Sequence, residues 1–156
     1  VKEKISLFDR YPEIDAVYAA LSSQSSIWIF DQTTQRWGLI SSNQNKPNYI
    51  SNPITNFDFI TTSGNFAYWQ VKNLVYGIDI YGNVLEQQKL PSRAQLLAVN
   101  GDYYVYKLNS GIFLLDRSKK ETQRLREIQA DVAQVIMVAK NISLLAANKL
   151  YLYTLN

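Results

Sequence analysis

The stretch "SIWIFD", Ser26 to Asp31, decides the fold, because three similar stretches follow it along the chain. They are "LVYGID", which ends at Asp79, "GIFLLD", which ends at Asp116, and "KLYLYT", which ends at Thr154. Each is a short apolar run that ends at a residue common in turns. The last three ends are 37 and 38 residues apart, and a fixed period of this length is typical of stacked supersecondary units.

The first interval, from Asp31 to Asp79, is 48 residues and exceeds the period by ten. The segment "SSNQNKPNYISNP", Ser41 to Pro53, is rich in Asn, Ser and Pro and is predicted to be an inserted loop that supplies the excess. Insertions in repeat proteins project from one face and often bind ligands. The predicted contact residues are therefore Asn45, Lys46, Asn48 and Tyr49.

Each unit contains four strand candidates that are separated by turn residues. In the second unit these candidates are "FDFITTS", "NFAYWQVK", "LVYGIDI" and "NVLEQQKL". Four short strands at a period near 38 residues predict a β-propeller blade, with "SIWIFD" and its counterparts as the third strand. Asp31, Asp79 and Asp116 then lie at turns, where we expect them to cap the turn rather than to form a metal site.

The third strands are apolar on both faces, which indicates blades that are covered on both sides by their neighbours. The fourth strand of the third unit, "ETQRLREI", is polar, as an exposed outer edge should be. One large aromatic residue falls early in each proposed third strand. These four residues are predicted to be mostly buried between blades: Trp28, Tyr76, Phe113 and Tyr151.

The whole chain, residues 1–156, is predicted to be a single all-β domain of about four blades; 47% of its residues are hydrophobic and 13% are aromatic. The last unit lacks a fourth strand, whereas "KEKISLF", Lys2 to Phe8, is a strand without a unit. Either this segment completes the last blade and closes a four-bladed ring, or the chain is the C-terminal part of a larger propeller. Open blade edges would then permit self-association.

The repeats "IWIFDQTTQRW", "VYGIDIYGNVL" and "IFLLDRSKKET" resemble those of NHL-like and quinoprotein-like β-propellers, in particular uncharacterised propellers of the bacterial cell envelope. The resemblance implies a periplasmic or envelope-associated protein with about six blades, and so favours the larger propeller. It implies no activity, because such propellers host binding, scaffolding and catalysis alike. A quinoprotein would need a redox cofactor with calcium, for which the sequence offers no acidic cluster, so no cofactor is expected.

Composition excludes several classes of function. The chain has no Cys and no His, which removes disulfides, thiolate metal sites and the commonest catalytic base. Its net charge of +3 is too small and too scattered to indicate nucleic-acid binding, and no apolar run is long enough to span a membrane. We therefore expect a non-catalytic scaffold or binding module of the bacterial cell envelope whose partner is a protein or a glycan.

Two alternatives and one charged segment complete the set of candidate sites. Glycan binding could use an aromatic shelf, although core packing is the favoured role of its members, Tyr68, Trp69, Tyr103, Tyr104 and Tyr106. A hydrolase would need two carboxylates that converge in the central channel, from among Asp9, Glu13, Asp15 and Asp58. A basic stretch is expected to be a solvated rim: Arg117, Lys119, Lys120, Arg124 and Arg126.

Overall fold

The computed structural model describes residues 11–22, 26–41, 44, 46–51, 53–128, 131–138 and 140–155, and these residues form strands and turns without any helix. The predicted all-β class is confirmed. No membrane-spanning helix is found in the described part of the chain. The strands are β1 (Ala16–Leu21), β2 (Ile27–Asp31), β3 (Arg36–Ile40), β4 (Asn48–Tyr49), β5 (Phe59–Ser63), β6 (Phe66–Val71), β7 (Leu74–Ile78), β8 (Val84–Lys89), β9 (Gln95–Asn100), β10 (Tyr103–Leu108), β11 (Gly111–Asp116), β12 (Glu121–Glu127), β13 (Val132–Val138), β14 (Asn141–Ala146) and β15 (Lys149–Thr154).

The strands form four antiparallel sheets, which are the blades of a β-propeller. Blade 1 contains β1 to β4, blade 2 contains β5 to β8, and blade 3 contains β9 to β12. Blade 4 contains β13 to β15 within the described residues. The first strands of successive blades lie beside one another and form the inner layer of the propeller. The predicted Lys2–Phe8 strand, on which the choice between a closed ring and a larger propeller depends, lies outside the described residues.

The placement of "SIWIFD" in a third strand is wrong. Ile27–Asp31 is β2, the second strand of blade 1, and the third strand is Arg36–Ile40. The third strands begin at residues 36, 74, 111 and 149, which are 38, 37 and 38 residues apart, so the period has no interruption. The segment 41–53 is therefore not an insertion, because it contains β4, the fourth strand of blade 1.

This correction changes the predicted set of equivalent aromatic residues. Gly38, and not Trp28, holds the third-strand position that corresponds to Tyr76, Phe113 and Tyr151. Trp28 is buried and the other three aromatic residues are half-buried, so none of the four is exposed. A Cβ atom on Gly38 would lie 3.2 Å from the ring of Tyr49, so Tyr49 fills the space that an aromatic residue of the third strand occupies in the other blades.

Each pair of neighbouring blades encloses its own apolar core. We call the face that a blade turns towards the next blade its leading face, and the opposite face its trailing face. Between blades 1 and 2 the core contains Trp28, Phe30 and Trp37 with Ala67 and Ile78. Between blades 2 and 3 it contains Tyr68, Val75, Leu96, Tyr104 and Tyr106, and between blades 3 and 4 it contains Val105, Ile112, Leu114, Ile142 and Leu144.

The turn-capping role predicted for three aspartates is confirmed. Asp79 accepts hydrogen bonds from the backbone N–H groups of Tyr81 and Asn83, both at 2.9 Å. Asp116 accepts one from the hydroxyl of Ser118 at 2.7 Å. Asp31 caps a different turn, between the second and third strands, because of the changed assignment of β2.

Equivalent cross-strand pairs on the leading faces compensate one another in volume. In blade 2 Tyr68 lies opposite Gly77, whereas in blade 3 Val105 lies opposite Leu114. A Cβ atom on Gly77 would lie only 2.8 Å from Cε1 of Tyr68. One large and one small residue therefore fill the space in blade 2 that two aliphatic residues fill in blade 3.

This compensation predicts strong coupling between the two positions. Gly77→Leu should destabilise the chain by about 2 kcal/mol or more, because the new side chain overlaps the ring of Tyr68. Adding Tyr68→Val recreates the Val and Leu pair of blade 3. The free energy of unfolding of the double variant should therefore exceed the value expected from adding the two single effects by at least about 1 kcal/mol. Chemical denaturation of the four proteins measures the coupling energy, and additive effects would contradict the prediction.

Candidate functional site

The end of blade 1 is anchored by a buried carboxylate. Asp31, which is 1% exposed, accepts hydrogen bonds from the hydroxyls of Tyr49 (2.7 Å) and Thr34 (2.9 Å) and from the backbone N–H groups of Thr33 (3.0 Å) and Asp15 (3.2 Å). Burial acts to raise the pKa of this carboxyl, but the four donors outweigh it and the pKa is lowered. Burial and the bond to Asp31 both raise the pKa of the Tyr49 hydroxyl.

This anchor determines the roles of the predicted contact residues. Tyr49 is half-buried and holds β4 against Asp31, so its hydroxyl is engaged within blade 1. Lys46 and Asn48 are exposed beside it. Asn45 lies outside the described residues. The structure therefore leaves two side chains of this predicted set exposed on the surface, and a contact role for the set stays a prediction.

A cleft of about 330 Å³ opens between blades 1 and 2, directly after β4. One wall is formed by residues 50, 51 and 53–55 of the connecting segment. The backbone N–H groups of Ile50 and Ile54 donate to the carbonyls of Trp37 (2.8 Å) and Gln35 (2.6 Å) and hold this wall in place. Because β4 pairs with β3 over only two residues, this segment rather than a long outer strand borders the cleft.

The opposite wall of the cleft is a stacked aromatic pair on the trailing face of blade 2. Trp69 and Tyr76 are cross-strand neighbours, with ring centroids 5.3 Å apart and planes at 15°. Both rings are half-buried and line the cleft. The equivalent pair in blade 3, Tyr106 and Phe113, has the same geometry, at 5.4 Å and 14°, but Tyr106 is only 3% exposed. The pair in blade 2 is therefore the more accessible of the two.

The rim of the cleft is formed by the turn between β7 and β8. Gly82 has a φ of +84°, and a Cβ atom there would lie 3.0 Å from Ile50, so this position requires glycine for two reasons. Asp79 accepts the side-chain amide of Asn83 at 2.9 Å. Slight burial acts to raise the pKa of Asp79, but this hydrogen bond and those from the backbone N–H groups outweigh it, so the pKa is lowered. A fixed turn thus presents Val84, which is 64% exposed, at the mouth of the cleft.

Most of the predicted basic rim is engaged in contacts. The guanidinium of Arg117 pairs with the carboxylate of Glu86 and lies 5.2 Å from the ring centroid of Tyr104, between blades 2 and 3. The Tyr104 hydroxyl also donates to Glu86, and burial together with this bond raises its pKa. Three further contacts are Arg126 over the Tyr151 ring at 4.1 Å, Arg124 with Glu127 at 3.0 Å and Lys119 with Asp116 at 3.6 Å.

The residues of the predicted aromatic shelf do not form one surface. Tyr68, Tyr104 and Tyr106 are buried in the core between blades 2 and 3. Tyr103 instead lines a second cleft, of about 290 Å³, between blades 3 and 4. Its other wall includes Tyr153, and its polar lining includes Asp116, Glu121, Thr122 and Gln123.

The three described carboxylates among those proposed for a hydrolase have local structural roles or exposed positions. Asp58 accepts the backbone N–H of Lys72 at 2.6 Å and so caps a turn of blade 2. Glu13 and Asp15 are exposed before β1, and Asp9 lies outside the described residues. Within the described ranges, no group of three or more Asp or Glu residues could hold a metal ion.

Comparison of the sequence with family models and with curated proteins gives no match. Solved structures do match, at low identity. The computationally designed Ika4 protein has a TM-score of 0.63 at 12% identity, over 92% of this chain and 93% of the other. YCF48 from Cyanidioschyzon merolae has a TM-score of 0.64 at 7% identity, over 90% of this chain and 50% of the other. PorZ, a surface component of the type-IX secretion system of Porphyromonas gingivalis, has a TM-score of 0.57 at 11% identity, over 92% of this chain and 20% of the other.

These matches identify the fold and not a family. The neighbours include β-propeller proteins, in agreement with the four blades. This chain spans about half the length of YCF48 and a fifth of that of PorZ. The sequence alone did not reveal the cleft between blades 1 and 2, but one signal could have done so. Alignment of the third strands shows Gly38 where the other blades have an aromatic residue.

The Asp31 anchor predicts a pH-dependent effect of Tyr49→Phe. Loss of a hydrogen bond to a buried carboxylate should cost about 1–2 kcal/mol at pH 7. The folded-state pKa of Asp31 lies below the ordinary value of 3.8, so its stabilising effect is present above that value and is lost as the pH falls through the folded-state pKa. The difference between the two proteins in urea unfolding should therefore shrink below about pH 4. Tyr81→Phe, at a ring that is 81% exposed, is the control and should leave the free energy of unfolding unchanged both at pH 7 and at the acidic pH. A pH-independent effect of Tyr49→Phe would contradict the prediction.

Proposed function

We propose that this chain is a non-catalytic binding module that docks an apolar segment of a protein partner in the cleft between blades 1 and 2. One observation carries the proposal, namely the half-exposed Trp69 and Tyr76 pair on the wall of a cleft of about 330 Å³. Large aromatic side chains in a concave site are the residues that most often dominate protein interfaces, because they bury much apolar area at little cost in side-chain entropy.

The other residues of the cleft support an apolar occupant. Ile50, Pro53, Ile54 and Ile78 line it together with the aromatic pair. The polar side-chain groups of the described lining are the hydroxyls of Ser51, Thr55 and Tyr76 and the indole N–H of Trp69. A cleft with an apolar wall and a small number of polar groups fits an aliphatic, aromatic or proline side chain of an extended peptide better than a charged ligand.

The charged and polar groups next to the cleft fit a rim around such a site. Lys46 and Asn48 are exposed on the segment that leads into Ile50. Exposed polar side chains around an apolar centre are the usual arrangement of a protein interface. Of the predicted contact residues, Lys46 and Asn48 are thus assigned to the rim, and the centre of the site is the Trp69 and Tyr76 pair.

Placement of this module in the bacterial cell envelope is the part of the proposal that rests on the repeat resemblance. It is supported by the setting of one fold neighbour, since PorZ is described as a bacterial surface component. Fractionation of cells that produce the native protein tests it, and recovery from the cytoplasmic fraction alone would contradict this location.

A glycan is the second candidate ligand, and its site would be the cleft between blades 3 and 4. There the half-buried Tyr103 and Tyr153 lie beside the carboxylates of Asp116 and Glu121 and the amide of Gln123. Aromatic faces together with hydrogen-bonding groups suit a sugar ring. Binding on a glycan array that is lost in a Tyr103→Ala variant would support this second function instead of the first.

Two adjacent exposed residues of β8 provide a matched test of peptide binding. Peptides are first selected against the native chain from a random phage-displayed library. Their affinity for the Val84→Glu variant should be lower by at least about tenfold, because the new carboxylate would lie at the apolar mouth of the cleft. Leu85→Glu introduces the same charge one residue away, at a side chain that is 55% exposed and does not line the cleft. It should bind the peptides like the native chain.

Three results would count against the proposal. If no two independently selected peptides compete for binding to the native chain, the peptides do not share one binding site. Equal binding of the selected peptides to the Val84→Glu and Leu85→Glu variants would place the site elsewhere. Turnover of chromogenic glycosides by the native chain would contradict the non-catalytic part of the proposal.

A further inference from the structure

A cavity of about 440 Å³ lies between blades 2 and 3, at the end of blade 2 where β6 turns into β7. Because neighbouring strands are antiparallel and β9 lies beside β5, the segments before β5 and before β9 reach the same end. Among the described lining residues, Ala94 is the one without a polar side-chain group. The cavity shares no lining residue with the cleft between blades 1 and 2, so the two sites are separate.

Three charged side chains line this cavity, and all three are exposed to small solutes. Lys72 and Arg93 are positive and Asp58 is negative. The ion pairs of the described part of the chain involve other residues. At the next interface, by contrast, Lys107 of blade 3 is neutralised by Asp131, at 3.6 Å. The interface between blades 2 and 3 therefore leaves two cations and one carboxylate available to a ligand.

A buried glutamine connects the two walls of the cavity. Gln70, which is 2% exposed, donates from one side-chain nitrogen to the carbonyls of Lys72 and Ala94. Its side-chain oxygen accepts the N–H of Leu96 at 2.7 Å. Since Ala94 is the neighbour of Arg93, one amide fixes the backbone positions of both cations. The site is therefore organised before a ligand arrives, which lowers the cost of binding.

The carboxylate on the same wall is also fixed in place. Asp58 donates its backbone N–H to the carbonyl of Gln70 at 2.8 Å, and its Oδ2 accepts the backbone N–H of Lys72 at 2.6 Å. Its Oδ1 has no hydrogen bond within the described residues. This oxygen is therefore free to accept a hydrogen bond from a cationic group of a ligand.

Both cations occupy backbone conformations that suit other residues better. Arg93 has a φ of +67° and is the third residue of the turn Pro91–Ala94, which a hydrogen bond of 3.1 Å closes. Lys72 has a φ of +55°. Glycine and asparagine favour this left-handed region, and blade 3 has Asn109, with a φ of +53°, at the first position of the corresponding turn. Backbone preference therefore does not account for either cation.

The charges and the size of the cavity fit a small zwitterion. A simple anion would meet the carboxylate of Asp58, and a simple cation would meet two positive charges. A molecule with both a carboxylate and an ammonium group can pair with all three side chains. The hydroxyl of Ser92 and the amide of Gln95 add neutral hydrogen-bonding groups to the lining. The volume lies within the range of small-molecule sites.

We propose that this cavity binds a free α-amino acid, with its carboxylate held by Arg93 and Lys72 and its ammonium group held by Asp58. This site is a second one and does not depend on the cleft between blades 1 and 2. Loss of one site should leave binding at the other unchanged.

Calorimetric titration of the native chain with each of the standard L-amino acids tests the proposal. At least one amino acid should bind with a dissociation constant below about 1 mM. Acetate and ethylamine each carry one of the two charged groups and should bind at least about tenfold more weakly than that amino acid.

Variants of the charged residues test the assigned roles. Arg93→Gly and Asp58→Asn should each weaken binding of the amino acid by at least about tenfold, because each removes one charge from the site. Arg93→Gly and Lys72→Asn place favoured residues in the left-handed conformation, so their unfolding midpoints should equal or exceed that of the native chain. Lys120→Asn is the matched control, because Lys120 has a φ of +57° in the turn between β11 and β12, outside the cavity. It should leave the affinity unchanged.

Each of three other outcomes overturns the proposal. If no amino acid binds more tightly than about 1 mM, the ligand class is wrong. If acetate or inorganic phosphate binds as tightly as the best amino acid and Asp58→Asn has no effect, the cavity is a simple anion site. If Arg93→Gly and Asp58→Asn, both folded by circular dichroism, bind the amino acid like the native chain, the amino acid binds elsewhere.

Discussion

The structure depends on one constraint, which is that every blade is apolar on both faces and must be covered on both. In blade 1 the buried residues of β2 and β3 alternate between Trp28, Phe30 and Trp37 on one side and Ile29 and Ile40 on the other. A sheet of this composition cannot leave either face in water without a large loss of hydrophobic stabilisation. Stacking of blades side by side meets the constraint at each internal interface.

Polar residues near the ends of the second strands of blades 1, 2 and 3 hold neighbouring segments in place. Asp31 holds the start of β1 and the end of β4 in blade 1. In blade 2 the buried Gln70, one residue before the end of β6, donates to the carbonyl of Ala94 (2.6 Å) and accepts from the N–H of Leu96 (2.7 Å), which joins blade 2 to the start of blade 3. Lys107 occupies the position of Gln70 in blade 3 and pairs with Asp131 before blade 4, at 3.6 Å. Asp31 ties together segments of blade 1, whereas Gln70 and Lys107 link one blade to the next. The buried Asp31 and Gln70 are hydrogen-bonded, as a buried polar group must be.

The sequence predicted the architecture well but placed one strand wrongly, and the reason is physical. Apolar residues on both faces mark a central strand of a blade, yet β2 and β3 both have this pattern, so "SIWIFD" could be either the second or the third strand. The outer strand β4 has only two residues and no apolar alternation, so it resembles a loop in sequence. Those two ambiguities together produced an apparent insertion at Ser41 to Pro53 and directed the predicted contact set to residues that include Tyr49, whose hydroxyl is bonded to Asp31. The sequence predicts that Trp69 and Tyr76 belong to the core, because a half-covered face and a fully covered face have the same sequence pattern.

The short outer strand that hid the true register also makes blade 2 different from blade 3. In blade 2, β8 extends over six residues. Tyr106, on the face of blade 3 that packs against blade 2, is almost completely buried. In blade 1, β4 extends over two residues, and Trp69 on the trailing face of blade 2 stays half-buried beside a cleft. A repeat fold makes its internal interfaces alike, so a surface suited to a ligand arises where one repeat departs from the others. In this chain the departure is a loss of outer strand rather than a gain of loop, and for that reason the candidate site lies between two blades and not on a projection from one of them.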